Sequence, residues 1–394
     1  MTTWSGRLGD ALELLIDHRG KTPKKLGGDW SEGGIPVYSA MHVKGGRLTP
    51  GDARFVSEEL YEKWMPVKLQ AGDVLLTSEA PLGEVAYLDA TRPACLGQRL
   101  FALRGRRDLL DGRYLFYLLQ ESETRHKVLN RASGTTVSGI RQAELVEVEL
   151  TLPEVPQQRA IADVLAALDD KIESNRRRAV CAEDLLDVLA STLPATALVE
   201  IGQIARVDRV SIEPSGLPVT DHYSLPAFDA ARLPERVEGA SIRSSKLAIQ
   251  EQSVLVSRLN PGTNRTWYAV PDLAVPAIAS TEWLVLRPVE GLSLGGLWLA
   301  VRDGHFRGEL ARRATGTSGS HQRVRPADAL SIEVPDPRGG DAAVLEEADA
   351  LLDLVHHARV ESETLGALRD TLLPELLSGR LRVPDAKELV ADAI

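Results

Sequence analysis

Cysteine is almost absent: Cys95 and Cys181 are the only two in 394 residues. Two thiols give no disulfide framework and cannot supply a cysteine-rich zinc site. That usage fits a reducing compartment, so a cytoplasmic location is expected. No apolar run approaches the ~20 residues of a membrane span, and no membrane association is expected. The start, MTTWSGRLGDALELLIDHRGK, lacks the basic-then-apolar order of a secretory leader. The marks of catalysis are missing too. There is no P-loop, no G-x-G-x-x-G leading from a strand into a helix and no H-E-x-x-H, and the eight histidines are scattered. The adjacent His356 and His357 fall on different faces of a helix and make no metal site. Asp169 and Asp170 lie on a long helix, where a solvated face accounts for them better than an acid–base pair.

Net positive charge is lacking as well. The formal charge is −10, which argues against nonspecific coating of nucleic acid. The distribution is uneven, however. Arg92 to Arg141 holds ten Lys/Arg against four Asp/Glu, and Arg302 to Arg325 holds six against two. Asp341 to the end reverses this, with five against twelve. Two basic segments and an acidic tail therefore share one chain.

What the chain does have is a long-period repeat. GDVLLTSEAPLG (72–83) aligns with QSVLVSRLNPGT (252–263), and ACLGQRLFALR (94–104) with AIASTEWLVLR (277–287). RASGTTVSG (131–139) aligns with RATGTSGSH (313–321), and TLP (192–194) with LLP (372–374). All four matches keep order at an offset of 180 to 183, so the chain is a duplicated domain plus helix. Within each copy, DVLLT, EVAYL, SVLVS, EWLVLRP and LSIEV read as strands. A helical segment follows them, at 112–129 and again at 296–313. Its aromatics (Tyr114, Phe116, Tyr117; Trp298, Phe306) read as core.

Each copy ends in a long helix with a heptad seam. In the first copy Ile161, Leu165, Leu168, Ile172, Asn175, Ala179, Ala182, Leu186, Leu189 and Leu193 follow steps of four and three. In the second copy Val344, Ala348, Leu351, Val355, Ala358, Ser362, Leu365, Arg369, Leu372 and Leu376 do the same. Pro156 suits a helix start and Asp341 a cap. Asn175 and Arg369 on the seam can fix register. Two matched seams favour pairing with each other, and an antiparallel pair would hold one β-rich domain near each end. The expected fold class is α+β: two β-rich domains with short helices, separated by two long helices forming an antiparallel coiled coil, with a pseudo-twofold repeat of about 180 residues.

The recurring polar segments carry the functional signal. Arginine, small hydroxyl residues and glycine suit phosphate contacts, and arginine also reads guanine edges. In the first copy the candidates for contact with double-stranded DNA are Thr77, Ser78, Gln98, Arg99, Arg131, Ser133, Thr135, Thr136 and Ser138. In the second they are Ser257, Arg258, Asn260, Thr281, Arg313, Thr317, Ser318, His321 and Arg323. Similar scaffolds with different tips are what two half-site specificities need.

LPEVPQQRAIADVLAALDDKIESNRR resembles the central spacer of the specificity subunit of type I restriction–modification systems. GDVLLTSEAPLGEVAYL and ACLGQRLFALR resemble its target-recognition domains, and LLPELLSGRLRV its C-terminal motif. The resemblance covers nearly the whole chain. It implies a first target-recognition domain at 1–153, a first spacer helix at 154–194, a second recognition domain at 195–337, a second spacer helix at 338–380 and a tail at 381–394. It also implies a non-catalytic subunit that reads a bipartite DNA site and docks two DNA methyltransferase subunits, with motor/nuclease subunits as further partners. Catalytic residues, a cofactor and a metal are not expected in this chain; S-adenosylmethionine and ATP are expected on the partners. Three alternatives stand beside it: a coiled-coil scaffold without DNA specificity, a specificity subunit of another DNA-modification defence system, and an enzyme whose site these motifs do not reveal. The second copy reads VPDPRGGDAAVL and lacks the Pro-x-x-Pro-Gln-Gln of the first. Whatever Pro156, Gln157 and Gln158 do must be done differently there.

Overall fold

The computed structural model describes residues 3–49, 51–134, 138–194, 197–316 and 322–394. The chain divides into a first unit, Met1–Asp170 with Gly366–Ile394, and a second unit, Lys171–Leu365. Each unit thus takes a β-rich region together with part of both long helices.

Strand Val74–Thr77 is buried at all four positions, as an uninterrupted apolar run inside a sheet must be. It pairs antiparallel with Leu100–Gly105 on one side and Val85–Tyr87 on the other, and Leu12–Asp17 completes the four-stranded sheet. The second unit repeats this arrangement. Ser253–Ser257, equally buried, lies between Trp283–Pro288 and Thr266–Ala269, with Ala205–Asp208 beyond. A two-stranded ladder also recurs. Trp4–Arg7 pairs with Glu149–Leu152, and Leu198–Glu200 with Glu333–Pro335. Each ladder returns the chain to its domain's start before the long helix begins. The copies differ in what remains: among the described residues the first unit has a three-stranded sheet and a two-stranded one, Val43–Lys44 with Arg47–Leu48, whereas the second has a single five-stranded sheet.

The expected helices at 112–129 and 296–313 are each two helices. Gly112–Gln120 and Ser122–Asn130 are separated at Glu121, whose extended backbone and carboxylate cap the second helix. Its oxygens accept from Glu123 N and Thr124 N, both at 2.8 Å. Asp303 does the same between Leu294–Arg302 and Gly304–Arg312, accepting from His305 N at 2.9 Å. An acidic residue here satisfies orphan N–H groups of a new helix instead of continuing the old one. The aromatics read as core are core: Tyr114, Phe116, Tyr117, Trp298 and Phe306 are all buried.

The long helices run Val155–Ser191 and Ala342–Leu377. Asp341 caps the second, accepting from Ala343 N at 3.0 Å. Within the second unit the two helices pair antiparallel. Asn175 meets Glu361, and Ala179 and Ala182 pack with Val355 and Ala358. Further along, Leu186 and Leu189 share a core with Ala348 and Leu352. There the seam merges with the β-rich domain's own core, which also holds Trp298, Leu286 and Val254. Leu352 rather than Leu351 is the more buried residue at that level, because the helix turns a broader face inward where it meets the sheet domain.

Gln158 has an internal task. It is fully buried; its Nε2 donates to Leu109 O and Pro153 O, both at 2.8 Å, and its Oε1 accepts from Asp111 N at 2.9 Å. This pins the long helix to the loop that starts Gly112–Gln120. The second unit makes the equivalent tie with Asp349, which accepts from Gly295 N at 2.6 Å. A Cβ on Gly295 would lie 2.6 Å from Asp349 N, so only glycine allows that approach. Gln158→Leu leaves two carbonyls and one N–H without their partner. It is expected to destabilise the fold by about 3 kcal/mol or more in urea unfolding, whereas Gln157→Ala, at a half-buried neighbour, should cost under about 1 kcal/mol.

Candidate nucleic-acid interface

Two loops far apart in sequence meet in each unit. In the first unit, strand Val74–Thr77 runs into a turn in which Ala80 takes φ 50° before Pro81. In the second, Ser253–Ser257 runs into a corresponding turn, with Asn260 at φ 47° before Pro261. Both copies thus leave the sheet through a left-handed residue, a conformation asparagine accepts more readily than alanine. The basic, hydroxyl-rich loop closes on this turn. Ile140 N donates to Ser78 O at 2.9 Å, and Ser133 and Gly139 exchange backbone hydrogen bonds at 2.9 and 3.0 Å. Gly139 fits because a Cβ there would lie 3.1 Å from Glu79 Cβ and 3.2 Å from Ser78 O. In the second unit Asn260 N donates to Gln322 O at 2.8 Å and Val324 N to Arg258 O at 3.0 Å. A third segment joins each cluster: Ser78 N donates to Arg99 O, and Arg258 N to Glu282 O, both at 2.9 Å. Backbone pairing therefore assembles in each unit the segments that carry the candidate contact residues.

The first 180 residues match the family model described as type I restriction modification DNA specificity domain. The type I restriction enzyme MjaVIII specificity subunit of Methanocaldococcus jannaschii is 26% identical over 154 residues, covering 38% of this chain and 36% of that protein. The MjaIX specificity subunit of the same organism is 33% identical over 112 residues, covering 27% and 24%. The matches thus span about a third or less of these relatives' length. A crystal structure of the type I restriction-modification S subunit from M. genitalium aligns over 95% of this chain and 96% of its own, with TM-score 0.61 at 15% identity. Residues 1–180, just under half of the chain, thus carry the likeness to a type I restriction modification DNA specificity domain. The chain's fold is that of the S subunit over nearly the whole length.

The candidate side chains differ in how far they are exposed. Gln98, Arg99, Ser133, Ser138, Thr281 and Arg323 are exposed. Arg131, Arg258, Asn260 and Arg313 are half-buried. Thr77, Ser78 and Ser257 are buried and need correction: their groups serve the frame. Thr77 Oγ1 accepts from Glu84 N at 2.9 Å, and Ser257 Oγ donates to Leu259 O at 2.9 Å. Alternation of inward and outward side chains fails at these strand ends because both faces of the strand are covered. Thr135, Thr136, Thr317, Ser318 and His321 lie outside the described residues.

The arginines are mostly engaged. Arg99 pairs with Glu79 at 2.9 Å, and Arg131 with Glu144 at 3.3 Å. Glu282 takes Arg323 through Nε and Nη2, and this hydrogen bonding raises the arginine pKa further. Arg313 donates to Asp328 O at 2.6 Å and Ser331 Oγ at 2.7 Å, so it braces the loop's base. The sequence reading missed Glu79 and Glu282, because a search for phosphate contacts looks for positive charge.

The helix-pairing residues behave as a seam with polar joints. Ile161, Leu165, Leu168, Leu186, Val355, Leu365 and Leu372 are at most 5% exposed, and Leu189 is 9% exposed; Ile172, Val344 and Leu351 are half-buried. Asn175 is fully buried and donates to Glu361 Oε2 at 2.6 Å. Asp169 is no solvated residue: it accepts from Tyr117 Oη and from Arg369 Nη1, both at 2.7 Å. Burial first, and then the Asp169 charge, push the Tyr117 hydroxyl pKa well up, so it stays a donor. Among the described residues no group of His, Cys, Asp or Glu could hold a metal, and no helix is long and apolar enough to cross a membrane. Arg313→Ala is expected to lower unfolding free energy by about 1–2 kcal/mol, since it removes the two hydrogen bonds to Asp328 O and Ser331 Oγ at the loop base while Ser331 Oγ still donates to that carbonyl. Arg131→Ala breaks only an exposed ion pair and should cost under about 1 kcal/mol; urea denaturation of both variants separates the two roles.

Proposed function

We propose that this chain is the DNA-reading subunit of a type I restriction–modification complex, with each recognition unit reading one half of a bipartite site in duplex DNA. One observation carries the reading: in both units a strand-end turn and a basic, hydroxyl-rich loop are joined backbone to backbone and leave exposed arginine, glutamine, serine and threonine at the join. Backbone N–H groups and hydroxyls suit phosphates, which set position. Arginine and glutamine suit base edges, which set sequence. The shared frame keeps the two readers alike, while the different tips give each its own half-site.

The chemistry belongs, on this reading, to partners. Two methyltransferase subunits that hold S-adenosylmethionine dock on the long helices and methylate adenine, and motor/nuclease subunits use ATP. Val180, Leu185 and Val188 on the first long helix, and Val360 on the second, are exposed apolar residues on otherwise charged surfaces, which suits a protein partner.

Selection from randomised duplexes by the complex should return two short conserved blocks. Affinity should fall linearly on a log–log plot against salt, as counterion release requires. Sequencing methylated adenines in cells with and without this chain should show one bipartite motif that disappears with it. Equal binding of all duplexes, together with an unchanged methylation pattern, would sink the proposal.

A further inference from the structure

Resting on that DNA-reading function, we propose that Arg323 is a pre-oriented guanine reader in the second unit and Glu282 its positioning residue. Arg99 and Glu79 do the same work in the first unit from different chain positions. The geometry of the guanidinium is the first argument. Glu282 engages Arg323 from the side, through Nε at 3.0 and 3.1 Å and Nη2 at 2.8 Å. Side-on pairing leaves the Nη1/Nη2 edge, whose two parallel donors match O6 and N7 of guanine. No described residue takes Nη1. The backbone of Arg323 is fixed as well: its N–H donates to Thr315 O at 3.0 Å, and its carbonyl accepts from Thr315 N at 2.9 Å. An arginine held by both backbone and carboxylate loses little further freedom when it binds.

Charge is the second argument. A carboxylate beside a loop meant only for phosphates would oppose them, because the ion pair adds no net positive charge to counterion release. Its presence makes sense if the arginine must be aimed rather than merely positive.

The two copies build the pair from different positions. Arg99 occupies the position equivalent to Glu282, and Glu79 that of Leu259. The first unit thus places its arginine where the second has the acid, and still forms an exposed pair, Arg99 Nε to Glu79 Oε1 at 2.9 Å. Arg99 is also fixed through its carbonyl, which accepts from Ser78 N, and through its left-handed backbone, φ 65°. Duplication alone would have kept the same residues in the same places. Side-on pairs also join residues distant in sequence at Arg104–Asp73, Arg236–Asp221, Arg265–Asp229 and Arg302–Asp187, so what sets Arg323 and Arg99 apart is that they lie in the backbone-joined segments themselves.

The test is selection from randomised duplexes by the assembled complex with its methyltransferase subunits. Wild type should select guanine at one position in each half-site. R323K keeps the charge and loses the fork, so preference for that guanine should fall about tenfold or more, with the other half-site and the salt slope unchanged. E282Q keeps the shape and loses the aim, giving a smaller loss at the same position, and E282D should restore part of it. R99K should repeat the effect in the other half-site. Unchanged guanine preference in R323K, or joint relaxation of both half-sites, would overturn the inference while a bipartite wild-type motif kept the DNA-reading function standing. A wild-type complex without any sequence preference would remove both. Should E282Q fail to fold, R323K decides alone.

Discussion

Each unit is tied together by one carboxylate on the first long helix. Asp169 accepts from Arg369 of the second long helix and from Tyr117 of the β-rich domain. Glu183 accepts from Arg359 of the second helix and from Arg232 of the β-rich domain. A partly buried carboxylate must be met by donors, and two donors from two different elements fix where those elements meet. Burial lowers the Arg359 pKa, which Glu183 offsets; burial also works against the Arg369 charge, but Asp169 and Asp370 outweigh it. Heptad packing along the seam tolerates a slip of a turn, whereas these charged joints and the buried Asn175–Glu361 bond do not. Register of the helix pair, and the attachment of each sheet domain to it, depend on them.

Repetition operates at the level of the frame. The four-stranded sheet, the terminal two-stranded ladder, the split pair of short helices and the left-handed exit turn recur in both units. Their details are free to change wherever another residue can supply the same bond. Gln158 and Asp349 both tie a long helix to the first of the short helices, one through an amide with three bonds and the other through a carboxylate and a glycine. The missing Pro-x-x-Pro-Gln-Gln in the second copy is therefore a different internal fastening. The recognition tips diverge further, as the different placements of Glu79–Arg99 and Glu282–Arg323 show.

The sequence by itself determined the duplication, the strands and the two long helices, because these follow from periodicity and from apolar runs that must be buried wherever they sit. It also located the segments that form the candidate interface. Arginine, glycine and small hydroxyl residues between strands suit nucleic-acid contact and an ordinary turn equally, so the repeat, the helices and the basic segments had to tip the balance. It did not determine which of those side chains remain available. Thr77, Ser78 and Ser257 look like surface residues in a list, yet all three are buried, the hydroxyls of Thr77 and Ser257 are spent on neighbouring backbone, and Ser78 is held by its own backbone bonds. Asp169 looks like a solvated helix residue until Tyr117 and Arg369 arrive from distant positions. Glu121 and Asp303 look like helix interior, although their carboxylates serve better as caps. In each case the deciding partner lies far along the chain or in the backbone. Hydrogen-bond satisfaction is a property of the assembled surroundings, so only the tertiary structure could assign it.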